Sequence, residues 1–243
     1  MICPKCKAEQ ADGNRECTRC GIIFEKYEEY QKLADEEKIP VVCDDETISS
    51  SISLKDFLFY VAPGTNLFYL GGRIIVFLFI LVWSINFFRF PMESNHSGES
   101  FLHLVNLPFH EAGHIIFMPF GRFMSALGGT LGQLLIPLAC FFTFLIKTRD
   151  TFGASAALWW TGENFLDIAP YINDARDLNL LLLGGVTGKE VEGHDWEFIL
   201  GKLQALQYDH TIANIIHKAG IFVMILSLLW GGYIIFKQVI SRA

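Results

Sequence analysis

Five apolar stretches, 69–88, 101–120, 127–146, 151–172 and 219–236, are each long enough to cross a lipid bilayer as a helix. In hydrocarbon every backbone N–H and C=O must find its partner within the chain, so stretches of this kind are restricted to helices or a closed barrel. The expected fold is therefore mainly α: a polytopic helical membrane protein of about five spans, preceded by a small N-terminal ribbon that the cysteines there define. Composition agrees, since 51% apolar residues and 22 phenylalanines in 243 exceed what a soluble domain of this size carries. The formal charge of -7 sits in the polar segments and leaves no broad basic surface, so the expected partner is the lipid bilayer and not nucleic acid.

Residues 1–24 contain the pattern Cys3-x2-Cys6-x10-Cys17-x2-Cys20, in which two pairs of thiolates suit tetrahedral zinc. Two disulfides are the competing reading, and they need an oxidising compartment. A segment this small cannot build its own core, so it folds around its metal as a zinc ribbon and serves to dock a cytosolic protein or to regulate. Met1-Ile2 leads directly into Cys3-Pro4-Lys5-Cys6 with no charged and apolar leader, so no cleaved signal peptide is expected. Residues 25–55 read as a short exposed helix (Tyr27, Tyr30, Leu33) ended by Pro40, then an acidic, serine-rich linker over 41–53. Residues 56–243 form the membrane domain, entered through an aromatic interfacial segment interrupted at Pro63-Gly64. Lysines and arginines lie at both ends of the spans and do not fix orientation. Reduced zinc-binding thiolates favour a cytosolic ribbon on an integral protein of a bacterial inner membrane, with 173–218 also in the cytosol.

The second stretch carries His110-Glu111-Ala112-Gly113-His114. Histidines at i and i+4 share one helix face and can hold one zinc, while the adjacent glutamate can take a proton from water at the metal. Pro108 suits the first turn of that helix, and Pro119 ends or kinks it. The competing reading makes His110 and His114 satisfied core residues, with Glu111 paired to an arginine. Ionisable groups at membrane depth cost on the order of 2 to 3 kcal/mol each even by insertion scales, which favours a metal or a wet site.

A catalytic zinc takes a third protein ligand and leaves one position open. Asp167 is the candidate, because Asn164, Asp167, Tyr171 and Asp174 share a helix face and a polar stripe within a span faces a cavity. Pairing of Asp167 within the bundle is the bland alternative, and His194, in His194-Asp195-Trp196, is the alternative ligand. The glycines of Leu127-Gly128-Gly129-Thr130-Leu131-Gly132-Gln133 are expected to serve close helix packing, the alternative being a gap for substrate with Thr130 and Gln133 as polar edges.

With His110-Glu111-Ala112-Gly113-His114 in one span and Leu166-Asp167 two spans later, residues 101–175 resemble the core of the site-2 protease type of intramembrane zinc metalloprotease. The resemblance implies a catalytic zinc held by His110, His114 and Asp167, water activated by Glu111, substrate or oxyanion positioned by Asn164, and a membrane-protein or peptide substrate. Two positions depart from the family pattern: Ile168 stands where glycine usually follows the aspartate, and Pro170 follows it where an asparagine-proline pair usually precedes. Two other functions fit the same residues, a non-catalytic membrane adaptor with structural zinc and a membrane hydrolase acting on a lipid or small amide.

Overall fold

The computed structural model describes residues 1–28, 53–61 and 66–241, which fall into two compact units, Met1–Ser51 and Ile52–Ala243. Tyr30, Leu33, Pro40, the linker over 41–52 and the Pro63-Gly64 interruption lie outside the described residues.

In the first unit two short turns repeat one another. Ile2 bridges Glu9 and Glu16 bridges Ile23. The bonds Cys3 N–H to Ala8 O (2.9 Å) and Lys7 N–H to Cys3 O (3.0 Å) recur as Cys17 N–H to Ile22 O and Gly21 N–H to Cys17 O, both 2.9 Å. Each turn closes through a residue of positive φ, Lys7 at 59° and Gly21 at 72°. Phe24 is buried against Cys3 and Cys17 and opens a helical turn over 24–28.

The second unit is helical, and among the described residues its only extended pairing is the isolated bridge between Leu181 and Thr187. Its helices are α1 (Leu54–Leu58), α2 (Leu67–Arg89), α3 (Phe101–Phe117), α4 (Arg122–Phe142), α5 (Thr151–Asn173), α6 (Asp195–Lys202) and α7 (Asp209–Ile240). Local chemistry sets their ends. Asn66 accepts from Phe68 N–H at the start of α2. Ser100 accepts from His103 N–H at the start of α3. Asp150 caps α5 through Gly153 N–H while pairing with Arg73 at 2.9 Å, which ties α2 to α5. Gly121, at φ 96°, makes the reversal from α3 into α4 that a side chain would resist.

Three helices among the described residues are long and apolar enough to cross a membrane: Leu67–Arg89, Arg122–Lys147 and Leu206–Ile240. The other two expected stretches differ for physical reasons. In 101–120 the α-helix has 17 residues and tightens at Met118 into a 3₁₀ turn containing Pro119. Pro108, expected in the first turn, lies inside α3, because the Ser100 cap starts the helix earlier. The 151–172 stretch forms α5, whose sides are buried nearly all round, including Glu163, Asn164 and Asp167. Polar content is tolerated there because neighbouring helices, not lipid, surround it.

Small residues hold this bundle close, as expected where apolar burial gives no advantage over lipid. A Cβ at Gly162 of α5 would stand 2.9 Å from Gly220 O of α7, and one at Gly220 would stand 2.7 Å from Gly162 O. Leu166 and Trp159 of α5, Ile80 and Phe87 of α2 and Met224 of α7 fill one core cluster. Ile168, Ala169 and Ile172 join Leu200 of α6 and Ala213 of α7 in another. After α5, Arg176 grips the buried Asp209 carboxylate with its Nε 2.8 Å from each oxygen, fixing the returning chain to the start of α7.

Candidate metal centre

The site begins with three glycines that bring α3 and α4 into backbone contact. A Cβ at Gly128 would lie 2.6 Å from Gly113 O, one at Gly132 would lie 2.9 Å from Gly113 Cα, and one at Gly113 would collide with Gly128 O. The expected packing role of Gly128 and Gly132 is visible in these contacts. Gly129 does something else: its missing side chain leaves open the space beside the Nε2 atoms of His110 and His114.

Both imidazoles are oriented from behind. His110 Nδ1 lies 2.7 Å from Gln133 Oε1, and His114 Nδ1 lies 2.8 Å from the backbone oxygen of Ser125, both on α4. A carbonyl oxygen only accepts, so each Nδ1 carries a proton and, in the neutral ring, each Nε2 presents a lone pair, the arrangement that metal-ligating histidines adopt. His110, Glu111 and His114 offer ligand atoms all within 4.8 Å of one another. They face a cavity of about 360 Å³, bounded on its apolar side by the turn carrying Leu181, Leu183 and Val186. Leu182 N–H to Val186 O (2.7 Å) closes that turn through Gly184 and Gly185 at φ 104° and 78°.

From outside α3 and α4, Tyr171 sets its ring edge-on to His110 at 6.3 Å between centres, and a carboxylate reaches both imidazoles. Asp195 Oδ2, on the first residue of α6, is 3.4 Å from His110 Nε2 and 3.4 Å from His114 Nε2. Tyr171 holds it there, its hydroxyl accepting from Asp195 N–H at 3.0 Å and lying 3.4 Å from Oδ2.

The residues expected as third ligand are engaged elsewhere. Asp167 accepts from Asn106 Nδ2 at 3.2 Å and lies 2.9 Å from His103 Nδ1. Its link to His110 runs through Gln133, whose Nε2 is 3.4 Å from Asp167 Oδ2, on the side of the ring facing away from Nε2. Asn164 belongs to the same buried network, accepting from Gln133 at 3.1 Å and donating to Trp160 O at 3.0 Å. The bland alternative for Asp167, pairing within the bundle, describes these contacts. His194 is buried and packs against Tyr171 with 4.2 Å between ring centres and the rings tilted by 44°. Its Nδ1 accepts from Glu197 N–H and caps α6, and its Nε2 faces Asp174 at 3.6 Å. Burial holds this imidazole below its ordinary pKa although Asp174 and Asp195 pull the other way.

Two contributors, His103 and Asn106, stand outside the sequence candidates, and Gln133 is among them only as a polar edge of the glycine stretch. Helical spacing contains a signal for the first two, because His103, Asn106, His110 and His114 follow one another at intervals of 3, 4 and 4 on a single face.

In the first unit Cys3, Cys6, Cys17 and Cys20 form a second group able to hold a metal ion. Their sulfurs are unbridged, with Cys3 Sγ 3.7 Å from Cys20 Sγ and Cys6 Sγ 3.7 Å from Cys17 Sγ. Ligands about 2.3 Å from a tetrahedral metal lie about 3.7 Å apart, so the spacing suits a thiolate-bound ion. Burial opposes charging of the Cys17 thiol, yet the backbone N–H groups of Cys20 and Arg19 lower its pKa, while, against the backbone N–H of Ile22, burial and the neighbouring thiols raise that of Cys20.

Comparison of the chain with protein-family models, with curated proteins and with solved structures returns no match.

Proposed function

We propose that the chain is a zinc-dependent intramembrane peptidase that hydrolyses a membrane-embedded or juxtamembrane peptide bond, with a zinc-binding ribbon for docking a cytosolic partner or for regulation. The observation that carries the reading is the pair His110 and His114, each with Nδ1 spent on a carbonyl oxygen and Nε2 turned toward the same cavity as Glu111. Histidines that only fill space in a bundle core have no need to turn both Nε2 atoms toward one point. A zinc ion bound there would polarise a substrate carbonyl as a Lewis acid. Glu111 would take a proton from the attacking water and return it to the leaving amine.

The setting supports a membrane substrate. In this reading α3 and α5 join the three long apolar helices as spans, giving five, and the outward face of α3 (Phe101, Leu104, Ile115, Ile116) is exposed and apolar as a lipid-facing surface is. Four reduced thiols suit a reducing compartment, so in this reading the ribbon and residues 173–218 lie in the cytosol. A helical substrate shields its peptide bonds, so the chain entering the cavity must unwind. The exposed Leu181 and Leu183 beside the cavity offer it an apolar contact.

The test is Glu111→Gln. Purified protein is added to membrane vesicles, newly exposed amino termini are labelled, and bound zinc is counted. Wild type is expected to generate new termini within apolar segments, and Glu111→Gln to retain its zinc and generate none; equal cleavage by both sinks the proposal. Loss of zinc from Glu111→Gln would make Glu111 a ligand, close the site, and favour the non-catalytic adaptor.

A further inference from the structure

We infer that Asp195 is the third protein ligand of the metal held by His110 and His114, carried into the centre on the first residue of α6. The inference rests on reading this site as a metal centre and goes beyond it by assigning the ligand.

Three observations converge. With Nδ1 protonated on both rings, the Nε2 atoms of neutral imidazoles and Asp195 Oδ2 are all acceptors, yet they converge with both N–O distances at 3.4 Å. Three lone-pair donors brought together repel unless a cation, a proton or a metal ion, lies among them. The distances also discriminate. A charge-assisted hydrogen bond from an imidazolium to a carboxylate closes to about 2.7–2.9 Å, whereas nitrogen and oxygen ligands about 2.0–2.1 Å from a tetrahedral zinc lie about 3.3–3.4 Å apart. Finally, the missing Cβ of Gly129 leaves space beside the same two Nε2 atoms.

Asp195 is also built into place. Tyr171 accepts from its N–H at 3.0 Å, and Tyr171 itself packs against the ring of His194, whose Nδ1 caps α6. Asp174 accepts from Asn179 N–H and Leu180 N–H, both at 2.9 Å, and so shapes the turn that sends the chain back over the cavity. The two residues on either side of the peptide bond thus divide the work: His194 anchors the segment and Asp195 enters the centre. Asp167 then acts through Gln133 on the orientation of His110.

The experiment counts zinc on the full-length protein in detergent. Wild type should hold about two ions per chain, one in the ribbon and one in the core, and His110→Ala about one. Asp195→Ala is expected to fall to about one as well, while Asp167→Asn stays near two, because partners behind a ligand cost about 10- to 100-fold in affinity and do not abolish binding. A wild-type count of one that His110→Ala leaves unchanged would overturn the metal-centre reading and this inference together. Two ions in Asp195→Ala with one in Asp167→Asn would overturn the inference alone.

A second variant guards against simple misfolding. In the full chain with Cys3, Cys6, Cys17 and Cys20 replaced by serine, cobalt should bind the core without a thiolate charge-transfer band. Adding Asp195→Cys should create that band; cobalt bound by this variant with no such band overturns the assignment.

Discussion

Gly129 of α4 lies against His114 of α3 so closely that a Cβ at position 129 would stand 2.7 Å from His114 Nε2 and would also strike His110 Nε2. The nearest atoms are imidazole tips and not backbone, so Gly129→Ala should displace the ligands while leaving the helices packed. The expected outcome is loss of the core zinc with thermal unfolding little changed. Gly113→Ala should do the reverse in emphasis, since its Cβ meets the Gly128 carbonyl; overpacking of this kind costs about 1–3 kcal/mol, sometimes more. Zinc content and melting temperature of the two variants, measured side by side, separate room for the metal from helix contact.

Gln133 is buried, and its Oε1 fixes the His110 tautomer from 2.7 Å while its Nε2 reaches Asn164 and Asp167. Gln133→Leu keeps most of the volume and removes the acceptor. Core zinc affinity should fall by about 10- to 100-fold, the range seen when partners behind a ligand are removed. Competition with a chelator of known affinity measures it. Unchanged affinity would mean that the Gln133 contact does not orient the ring.

How much of this site can be read from the chain depends on how local the cause is. The i, i+4 spacing of His110 and His114 and the pairing of the four ribbon cysteines are local, and in both places the side chains gather as the spacing requires. The polar stripe of α5 is legible too, for Asp167, Tyr171 and Asp174 all turn toward elements of the site. Their separate tasks are not legible, because each depends on what meets that face: Asn106 and His103 for Asp167, Asp195 for Tyr171, His194 for Asp174. The approach of Asp195 is the least local fact. It needs the turn shaped by Asp174, the glycine turn at Gly184-Gly185 and the Arg176–Asp209 pair before one carboxylate arrives between two imidazoles.

Cys6 is half-buried, its sulfur 3.7 Å from that of Cys17, and its backbone N–H points to Cys3 Sγ at 3.5 Å. Removing one thiolate should release the ribbon ion and unfold the first unit, since a segment this short has no other core. Cys6→Ser is therefore expected to lose about one zinc per chain while the core ion, tested by further loss on His110→Ala, remains. Limited proteolysis should then cut within residues 1–24 and spare α2 to α7. Retention of both ions in Cys6→Ser would contradict a four-thiolate site.

Asn106 makes every hydrogen bond that its amide can make. Its Nδ2 donates to Glu163 Oε2 at 3.0 Å and to Asp167 Oδ2 at 3.2 Å, and its Oδ1 accepts from Trp160 Nε1 at 2.9 Å and Asn164 Nδ2 at 3.3 Å. Two carboxylates on α5 thus share one donor on α3, and Glu163 Oε1 already has no partner in a fully buried position. Asn106→Ala leaves several buried groups unsatisfied, each costing about 1–3 kcal/mol. Asn106→Asp preserves the shape but turns an oxygen toward both carboxylates. If the amide serves as a shared donor, aspartate should be worse than alanine despite being the closer mimic; if residue 106 only fills space, the order reverses. Thermal unfolding in detergent decides between them. The same bonds hold α3 against α5 one turn before His110, so the variant that lowers stability more should also weaken core zinc binding more.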